Sequence, residues 1–94
     1  MDEDIRERTK TLIKEARTCV LATASANHPH CSLMAYATNA SCDEIYMVTT
    51  KNSRKYQNML ENPAVSLLID TREGGLRSGH AETMALTVSG RFQA

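Results

Sequence analysis

The sequence predicts a mainly β (α+β) fold, an antiparallel barrel with one N-terminal helix and one inserted helix. Short apolar segments rich in β-branched residues recur along the chain, and turn-forming residues separate most of them. Only two segments have the periodicity of a helix. The chain has 94 residues, of which 41% are hydrophobic, so we expect a single domain that spans residues 1–94.

The first half of the chain predicts one helix and three strands. Residues 3–17 place apolar side chains at mostly helical spacing among charged ones, which is typical of an amphipathic helix with one buried stripe. Residues 19–24 are short and apolar, which favours a strand, and turn-forming residues follow at 26–29. A second strand is predicted at 30–38 and a third at 44–49, running back along the second.

The inserted helix is predicted at residues 53–62, where apolar side chains recur at spacings of three and four residues. Asn52 or Ser53 is a suitable N-cap, because either side chain can accept a hydrogen bond from a free N–H of the first turn. Pro63 ends the helix, since proline cannot continue it.

The last third of the chain predicts two strands and a loop. Residues 64–70 form the strongest strand pattern, and we expect that strand to be central in its sheet. Residues 71–83 contain three glycines and predict a loop, and residues 84–92 alternate as a fifth strand. Nothing after that strand covers its edge, so we expect either a C-terminally incomplete domain or an edge covered by a partner subunit.

Composition excludes several classes of function. The chain has 11 Lys+Arg and 11 Asp+Glu, so its net charge of zero gives no overall attraction to nucleic acid or to an anionic membrane. No apolar run approaches the roughly 18 residues of a membrane span, and the first residues do not resemble a signal peptide. The three cysteines have no metal-ligand spacing. We therefore expect a cytoplasmic protein with reduced thiols and no metal site.

A basic cluster marks the point where the predicted third strand leads into the inserted helix. Lys51, Arg54 and Lys55 lie there, although the first turn of a helix has free N–H groups and favours acidic side chains. A bound phosphate would interact with the N–H groups, the neighbouring hydroxyls and the Arg54 guanidinium together. The alternative is a solvated helix face, since isolated basic clusters are common.

Short motifs occur in a particular order along essentially the whole chain. They are Thr23-Ala24-Ser25, Pro29-His30, Tyr46-Met47-Val48-Thr49, Ser53-Arg54-Lys55, and Asn62-Pro63 followed by Val65-Ser66-Leu67-Leu68. In this order the chain resembles the pyridoxamine 5′-phosphate oxidase-like family of FMN-binding split β-barrels. The most specific part of this resemblance is the Ser-Arg-Lys start of the inserted helix, which Asn-Pro and an apolar strand follow.

The resemblance implies a split β-barrel of Greek-key type and a homodimer that holds FMN in clefts between its two barrels. It implies that Arg54 and Lys55 bind the FMN phosphate, with Ser53 adding a hydroxyl or N–H group. The end of the third strand and part of the second would lie along the flavin. The cofactor-binding residues expected on this basis are Ser32, Leu33, Met34, Ala35, Val48, Thr49, Thr50, Lys51, Ser53, Arg54 and Lys55.

Two departures from the family pattern affect the expected activity. The strict oxidases resemble this chain but have a basic residue at each end of the second-strand segment, where this chain has Ser32 and Ala37. The chain also ends before the C-terminal basic and histidine region of those enzymes. The resemblance therefore implies a related FMN-dependent oxidoreductase acting with a small-molecule substrate or electron donor. F420 or heme is a less favoured cofactor, and a non-catalytic flavin- or heme-binding or sensing protein is the alternative.

Other residues that could have chemical roles have simpler structural explanations. His28, His30 and His80 are expected at the surface, because a metal site needs a further ligand. Tyr36 and Tyr46 suit either stacking on a flavin or pairing across strands. No side chain is assigned a catalytic role. The methionines expected in the core are Met34, Met47, Met59 and Met84.

Overall fold

The computed structural model describes residues 3–70 and 84–94. These residues form a four-stranded antiparallel sheet in the order β2-β1-β5-β6 and a separate two-stranded sheet, with two helices. The prediction of a mainly β fold with two helices is confirmed, and the described strands do not close into one ring. The elements are α1 (Glu3–Glu15), β1 (Thr18–Ser25), β2 (His28–Ala35), β3 (Ala37–Thr38), β4 (Ile45–Tyr46), α2 (Arg54–Glu61), β5 (Ala64–Asp70) and β6 (Ala85–Arg91).

Helix α1 packs on the core through its C-terminal half. Leu12 and Ile13 are buried, and the Tyr36 hydroxyl donates a 2.7 Å hydrogen bond to the Ile13 carbonyl oxygen. Ile5, one of the apolar residues in the predicted helix, is 50% exposed, so the buried stripe covers only the C-terminal half of α1. No helix in the described ranges is long and apolar enough to cross a membrane.

The β1–β2 hairpin has a tighter turn than the sequence predicted. Ser25 is opposite His28, and only Ala26 and Asn27 lie between them, with φ values of 51° and 66°. Two consecutive positive φ values are typical of a two-residue hairpin turn. His28 and Pro29 were predicted as turn residues but belong to β2, where a proline is tolerated because β2 is an edge strand.

The predicted second strand divides into β2 and β3 at Tyr36. The main-chain N–H of Tyr36 donates to the Arg17 carbonyl oxygen at 3.1 Å, which extends the β1–β2 register by one residue beyond the Thr18–Ala35 pair. After Tyr36, Ala37 pairs with Tyr46 in the small sheet. The predicted third strand is therefore short, because β3 offers β4 only two residues to pair with.

The Asn39 side chain organises the loop between β3 and β4. Its carbonyl oxygen accepts hydrogen bonds from the main-chain N–H groups of Asp43 and Glu44, both at 3.1 Å, and its amide donates to the Asp43 carboxylate. The hydrogen bond from the Asn39 amide is the main cause that lowers the pKa of the Asp43 carboxyl, and a hydrogen bond from the Ser41 hydroxyl lowers it further. One side chain thus fixes the small hairpin that forms a wall of the candidate site.

The interior lies between the helices and one face of the large sheet. Strand β5 has the bounds that the sequence predicted and lies between β1 and β6, so its central position is confirmed. Met34 and Met59 are buried, and Met47 and Met84 pack against the core. The predicted loop at residues 71–83, which includes His80, lies outside the described residues. The buried apolar cluster consists of Leu12, Ile13, Cys19, Leu21, Met34, Met59, Leu67 and Ile69.

Candidate functional site

An open cleft of about 440 Å³ lies where β2 leads into β3 and faces the end of β4. We call it the first cleft. Its volume is within the range of small-molecule sites, and its described lining has no charged side chain. Four of the predicted cofactor-binding residues line it. The lining residues are Leu33, Met34, Ala35, Tyr36, Ala37, Tyr46, Met47 and Val48.

Two apolar side chains of the first cleft are unusually exposed. Val48 is 93% exposed and Leu33 is 74% exposed. Apolar side chains grouped at a concave surface mark binding sites more often than scattered ones do. The first cleft therefore has the character of a binding surface.

The predicted segment from Ser32 to Ala35 divides between the two faces of β2. Side chains alternate along a strand, so Leu33 and Ala35 are exposed while Met34 is buried. Ser32 lies opposite Leu21, a core residue, and does not line the first cleft. The sequence reasoning treated the four residues as one surface, and the strand geometry separates them.

The start of α2 has a well-formed cap. The N-cap is Ser53, whose hydroxyl oxygen accepts a hydrogen bond from the Tyr56 N–H at 3.2 Å. The Thr49 and Ser53 hydroxyls lie 3.1 Å apart. The Ser53 N–H donates to the Thr50 carbonyl oxygen, and the Gln57 side-chain amide donates to the Lys51 carbonyl oxygen. The loop before α2 is thus tied to the first turn of the helix.

The cations at the start of α2 have no acidic counterpart nearby. The first turn of the helix contains no acidic residue. The Glu61 carboxylate lies at the other end of α2, where it accepts a hydrogen bond from Ser25. Within residues 3–70 and 84–94, no ion pair neutralises Arg54 or Lys55. The free N–H groups, the hydroxyls and these cations form a donor set that fits a phosphate.

Helix α2 is held firmly against the sheet, which fixes the position of its basic start. The Asn58 amide donates a 3.1 Å hydrogen bond to the hydroxyl of the buried Thr23 in β1. Met59 is buried in the core, and Tyr56 packs edge to face on Phe92 with ring centroids 5.7 Å apart. The hydrogen-bond donors that fit a phosphate therefore lie on a helix that several contacts hold in place.

The first cleft and the start of α2 are adjacent along the chain. Val48 is the last lining residue of the cleft, and Thr49, the next residue, contacts the N-cap. Thr50, Lys51, Ser53, Arg54 and Lys55 do not line the cleft and lie on or next to the helix start. The link from Val48 to Thr49 therefore joins the apolar cleft to the basic helix start.

A second cleft of about 600 Å³ lies between the C-terminal end of α1 and strand β3. It shares Ala35, Tyr36 and Ala37 with the first cleft. The sequence reasoning missed it, although two basic residues at the end of the predicted first helix were a signal. Its lining residues are Ile13, Lys14, Ala16, Arg17, Ala35, Tyr36, Ala37, Thr38, Asn39 and Ala40.

The two tyrosines of the first cleft remain protonated at neutral pH. Burial raises the pKa of the Tyr36 phenol, and the nearby Cys19 and Cys42 thiols raise it further. The Tyr46 hydroxyl donates to the Glu44 carboxylate at 2.5 Å, and this hydrogen bond is the main cause of its raised pKa. Both phenols act as hydrogen-bond donors within the protein.

The histidines and cysteines do not form a metal site in the described part of the chain. No group of three His, Cys, Asp or Glu side chains is close enough there to hold a metal ion. His28 is exposed, and the Nδ1 atom of His30 is buried with no hydrogen-bond partner among residues 3–70 and 84–94. Cys19, Cys31 and Cys42 are free, and burial raises the pKa of the Cys19 thiol.

Comparison with known proteins identifies one family model and several solved structures that are similar to this chain. A family model described as pyridoxamine 5′-phosphate oxidase matches residues 5–94. Comparison with curated proteins finds no significant match. The structure is similar to the general stress protein 26 of Bacillus anthracis, with a TM-score of 0.74 and 24% identity, covering 93% of this chain and 60% of that one.

Two further solved structures have the same fold. The heme storage protein HutZ from Vibrio cholerae has a TM-score of 0.69 and 23% identity, covering 90% of this chain and 58% of that one. A Listeria innocua protein, provisionally assigned as a pyridoxamine 5′-phosphate oxidase, has a TM-score of 0.73 and 20% identity. The match covers 93% of this chain and 63% of that one. The chain thus spans less than two thirds of the length of these structures.

Proposed function

The chain belongs to the pyridoxamine 5′-phosphate oxidase family, and from this premise we propose that it binds FMN and acts as an FMN-dependent oxidoreductase. The observation that carries the proposal is the basic, capped start of α2 next to an exposed apolar cleft. The oxidation of pyridoxamine phosphate itself is not proposed, because Ser32 and Ala37 replace the expected basic residues.

The FMN phosphate would bind at the start of α2. Arg54 and Lys55 supply charge, the Ser53 hydroxyl and the free N–H groups supply further donors, and the helix dipole favours an anion at this end. Without a bound anion, the partial positive charge of the helix N-terminus disfavours Arg54 and Lys55 at these positions. Phosphate binding therefore accounts for a charge pattern that the helix alone disfavours.

The flavin ring would lie in the first cleft against Leu33 and Val48. These side chains are exposed in the single chain and would be covered by the ring and by a second subunit. We propose a homodimer on that basis, with each cleft completed by the partner. The three free cysteines agree with a reducing cytoplasmic location, which we also propose.

When bound, FMN supplies the redox chemistry, accepting and donating two electrons with a proton. The protein side chains would bind the phosphate, orient the ring and exclude water from one face of it. No acidic or basic side chain lines the first cleft within the described residues, so no general acid or base is assigned. Tyr36 and Tyr46 are held by their own hydrogen bonds and would shape the cleft.

The visible absorption spectrum tests the proposal. The purified protein, incubated with FMN and freed of excess ligand, should keep a flavin absorption band. Anaerobic addition of NADH or NADPH should then bleach that band if the protein is an oxidoreductase. A protein that stays colourless after FMN treatment would contradict flavin binding, and a bound flavin that neither donor reduces would favour a non-catalytic binder.

A heme-binding or heme-sensing protein is the second candidate. It is favoured by the structural similarity to a heme storage protein and by Tyr46 and Met47 in the first cleft, since both residue types can ligate heme iron. Titration with hemin distinguishes the two candidates. A stoichiometric Soret band that is lost in Tyr46→Phe or Met47→Leu variants would support heme, whereas the absence of such a band in a protein that binds FMN would contradict it.

A further inference from the structure

The second cleft differs from the first in charge. Its described lining contains two cations, Lys14 and Arg17, and no acidic residue. Both cations are exposed, and no hydrogen bond or ion pair of either side chain occurs within residues 3–70 and 84–94. The first cleft, in contrast, has no charged residue in its described lining. The two clefts share Ala35, Tyr36 and Ala37, so they are adjacent.

Helix capping does not account for both cations. A basic residue in the last turn of α1 stabilises the helix dipole, and Lys14 occupies such a position. However, the Leu12 carbonyl oxygen already accepts from the Ala16 N–H, and the Ile13 carbonyl oxygen accepts from the Tyr36 hydroxyl. Arg17 lies beyond the end of the helix, and its own carbonyl oxygen accepts from the Tyr36 N–H. The guanidinium of Arg17 is left without a structural role in the described contacts.

The position of Arg17 is nevertheless fixed. Its main chain is tied to Tyr36, and the Tyr36 side chain is tied to α1, so the helix end and the shared wall of the two clefts form one unit. A cation on such a fixed backbone is suited to recognise an anion, because little main-chain order must be gained on binding. Arg also binds carboxylate and phosphate groups through two parallel hydrogen bonds.

We infer that the second cleft binds an anionic group of the substrate or electron donor, with Lys14 and Arg17 as its ligands. This inference rests on the proposed function, because it assumes that the reacting part of the same molecule lies in the first cleft against the flavin. The reacting molecule is then an organic anion with an uncharged reactive portion. Its anionic group binds away from Arg54 and Lys55, which are assigned to the flavin phosphate.

The inference is tested without FMN by titrating the protein with inorganic pyrophosphate and following backbone amide signals by NMR. Shifts are expected at residues 14–17 and 36–40. In a Lys14→Gln, Arg17→Gln double variant the affinity at these residues should fall by roughly tenfold or more, since two charge-assisted hydrogen bonds are lost. Lys10→Gln is the matched control, because Lys10 lies on α1 but does not line the second cleft, and it should bind normally.

A second readout separates this inference from the proposed function. The affinity for FMN should be unchanged in the Lys14→Gln, Arg17→Gln variant. Its melting temperature should fall only slightly, because both side chains are exposed and only the interaction of Lys14 with the helix dipole is lost. The inference would be overturned if pyrophosphate changed the amide chemical shifts only at residues 53–55. It would also be overturned if the changes at residues 14–17 persisted in the double variant. A loss of FMN affinity in that variant would also overturn it, since the cations would then belong to the flavin phosphate. Failure of the unaltered protein to bind FMN would instead overturn the proposed function.

Discussion

The Thr49 hydroxyl lies 3.1 Å from the hydroxyl of Ser53, the N-cap of helix α2. Thr49 directly follows Val48, which lines the first cleft. The hydrogen bond between the two hydroxyls therefore joins the apolar part of the candidate site to its basic part. Ser53 has two roles in this arrangement, because it caps the helix and would donate to the phosphate.

Substitution of Ser53 by Asp separates these two roles. Asp is as good an N-cap as Ser, so the stability of the fold should change by less than about 0.5 kcal/mol. Its carboxylate would repel a phosphate at the same position, and FMN affinity should fall by roughly tenfold or more. Thermal unfolding measures the first effect, and fluorescence titration with FMN measures the second.

Two uncharged residues at position 53, Asn and Ala, are the matched controls for Ser53→Asp. Ser53→Asn should keep both stability and most of the FMN affinity, whereas Ser53→Ala should lose about 1 kcal/mol of stability through the lost cap. If Ser53→Asp bound FMN as well as Ser53→Asn, the phosphate could not lie at this helix start.

Local patterns in the sequence were sufficient to predict most of the fold and part of the candidate site. Strand β5 has the predicted bounds, because its β-branched and apolar run is closed by Pro63 and by polar residues. The start of α2 was also predicted, since N-cap chemistry depends on neighbouring residues. These features are set by interactions over a few positions of the chain.

The remaining features depend on contacts between distant residues. The Tyr36 hydroxyl binds the main-chain carbonyl oxygen of Ile13 in α1, and this partner is not evident from the strand pattern. The second cleft forms only when the end of α1 meets β3. Pro29 was assigned to a turn because the sequence does not show that β2 is an edge strand.

Substitution of Val48 by Glu should affect assembly rather than folding. Val48 is 93% exposed, so its replacement should change the free energy of unfolding of the single chain by less than about 0.5 kcal/mol. A charge in the first cleft should disrupt the proposed dimer and weaken FMN binding. Analytical ultracentrifugation gives the oligomeric state.

Leu60→Glu is the control for the assembly experiment. Leu60 is 53% exposed but does not line the first cleft, so this variant should remain dimeric and bind FMN. If the Val48→Glu and Leu60→Glu variants formed dimers of equal stability, the subunit interface could not include the first cleft.

Substitution of Ala26 by Gly should stabilise the β1–β2 hairpin. Ala26 has φ of 51°, a conformation that is unfavourable for a residue with a Cβ atom. Glycine relieves this strain, and after its greater entropy in the unfolded chain is subtracted, a gain of roughly 0.5 kcal/mol should remain. Chemical denaturation measures the change.

Ala24→Gly is the control for the turn substitution. Ala24 lies in strand β1 opposite Pro29, so glycine there should destabilise the protein. A loss of stability in the Ala26→Gly variant as well would mean that the turn does not hold Ala26 in the left-handed region.

Substitution of Tyr36 by Phe should weaken the contact between α1 and the sheet. The variant loses the hydrogen bond from the phenol to the Ile13 carbonyl oxygen, which should cost about 1 kcal/mol at neutral pH. The loss leaves the Ile13 carbonyl oxygen without this donor. Thermal unfolding at pH 7 measures the effect.

The raised pKa of Tyr36 also predicts how this difference depends on pH. The folded state favours the neutral phenol, so its stabilisation is complete below the ordinary tyrosine pKa of about 10 and is lost as pH rises through the higher folded value. The stability advantage of the parent over Tyr36→Phe should therefore shrink above about pH 10. An advantage that stayed constant to pH 11 would show that Tyr36 does not titrate differently on folding.

The central claim is that the start of α2 binds the phosphate of a flavin. It is tested most directly by comparing the affinities for FMN and riboflavin, which differ only in that phosphate, in the parent protein and in an Arg54→Ala, Lys55→Ala variant. The parent should bind FMN at least roughly tenfold more tightly than riboflavin, and the variant should bind both about equally, because the charge-assisted hydrogen bonds are lost. Equal affinities in the parent, or a preference for FMN that survives the double substitution, would contradict the claim.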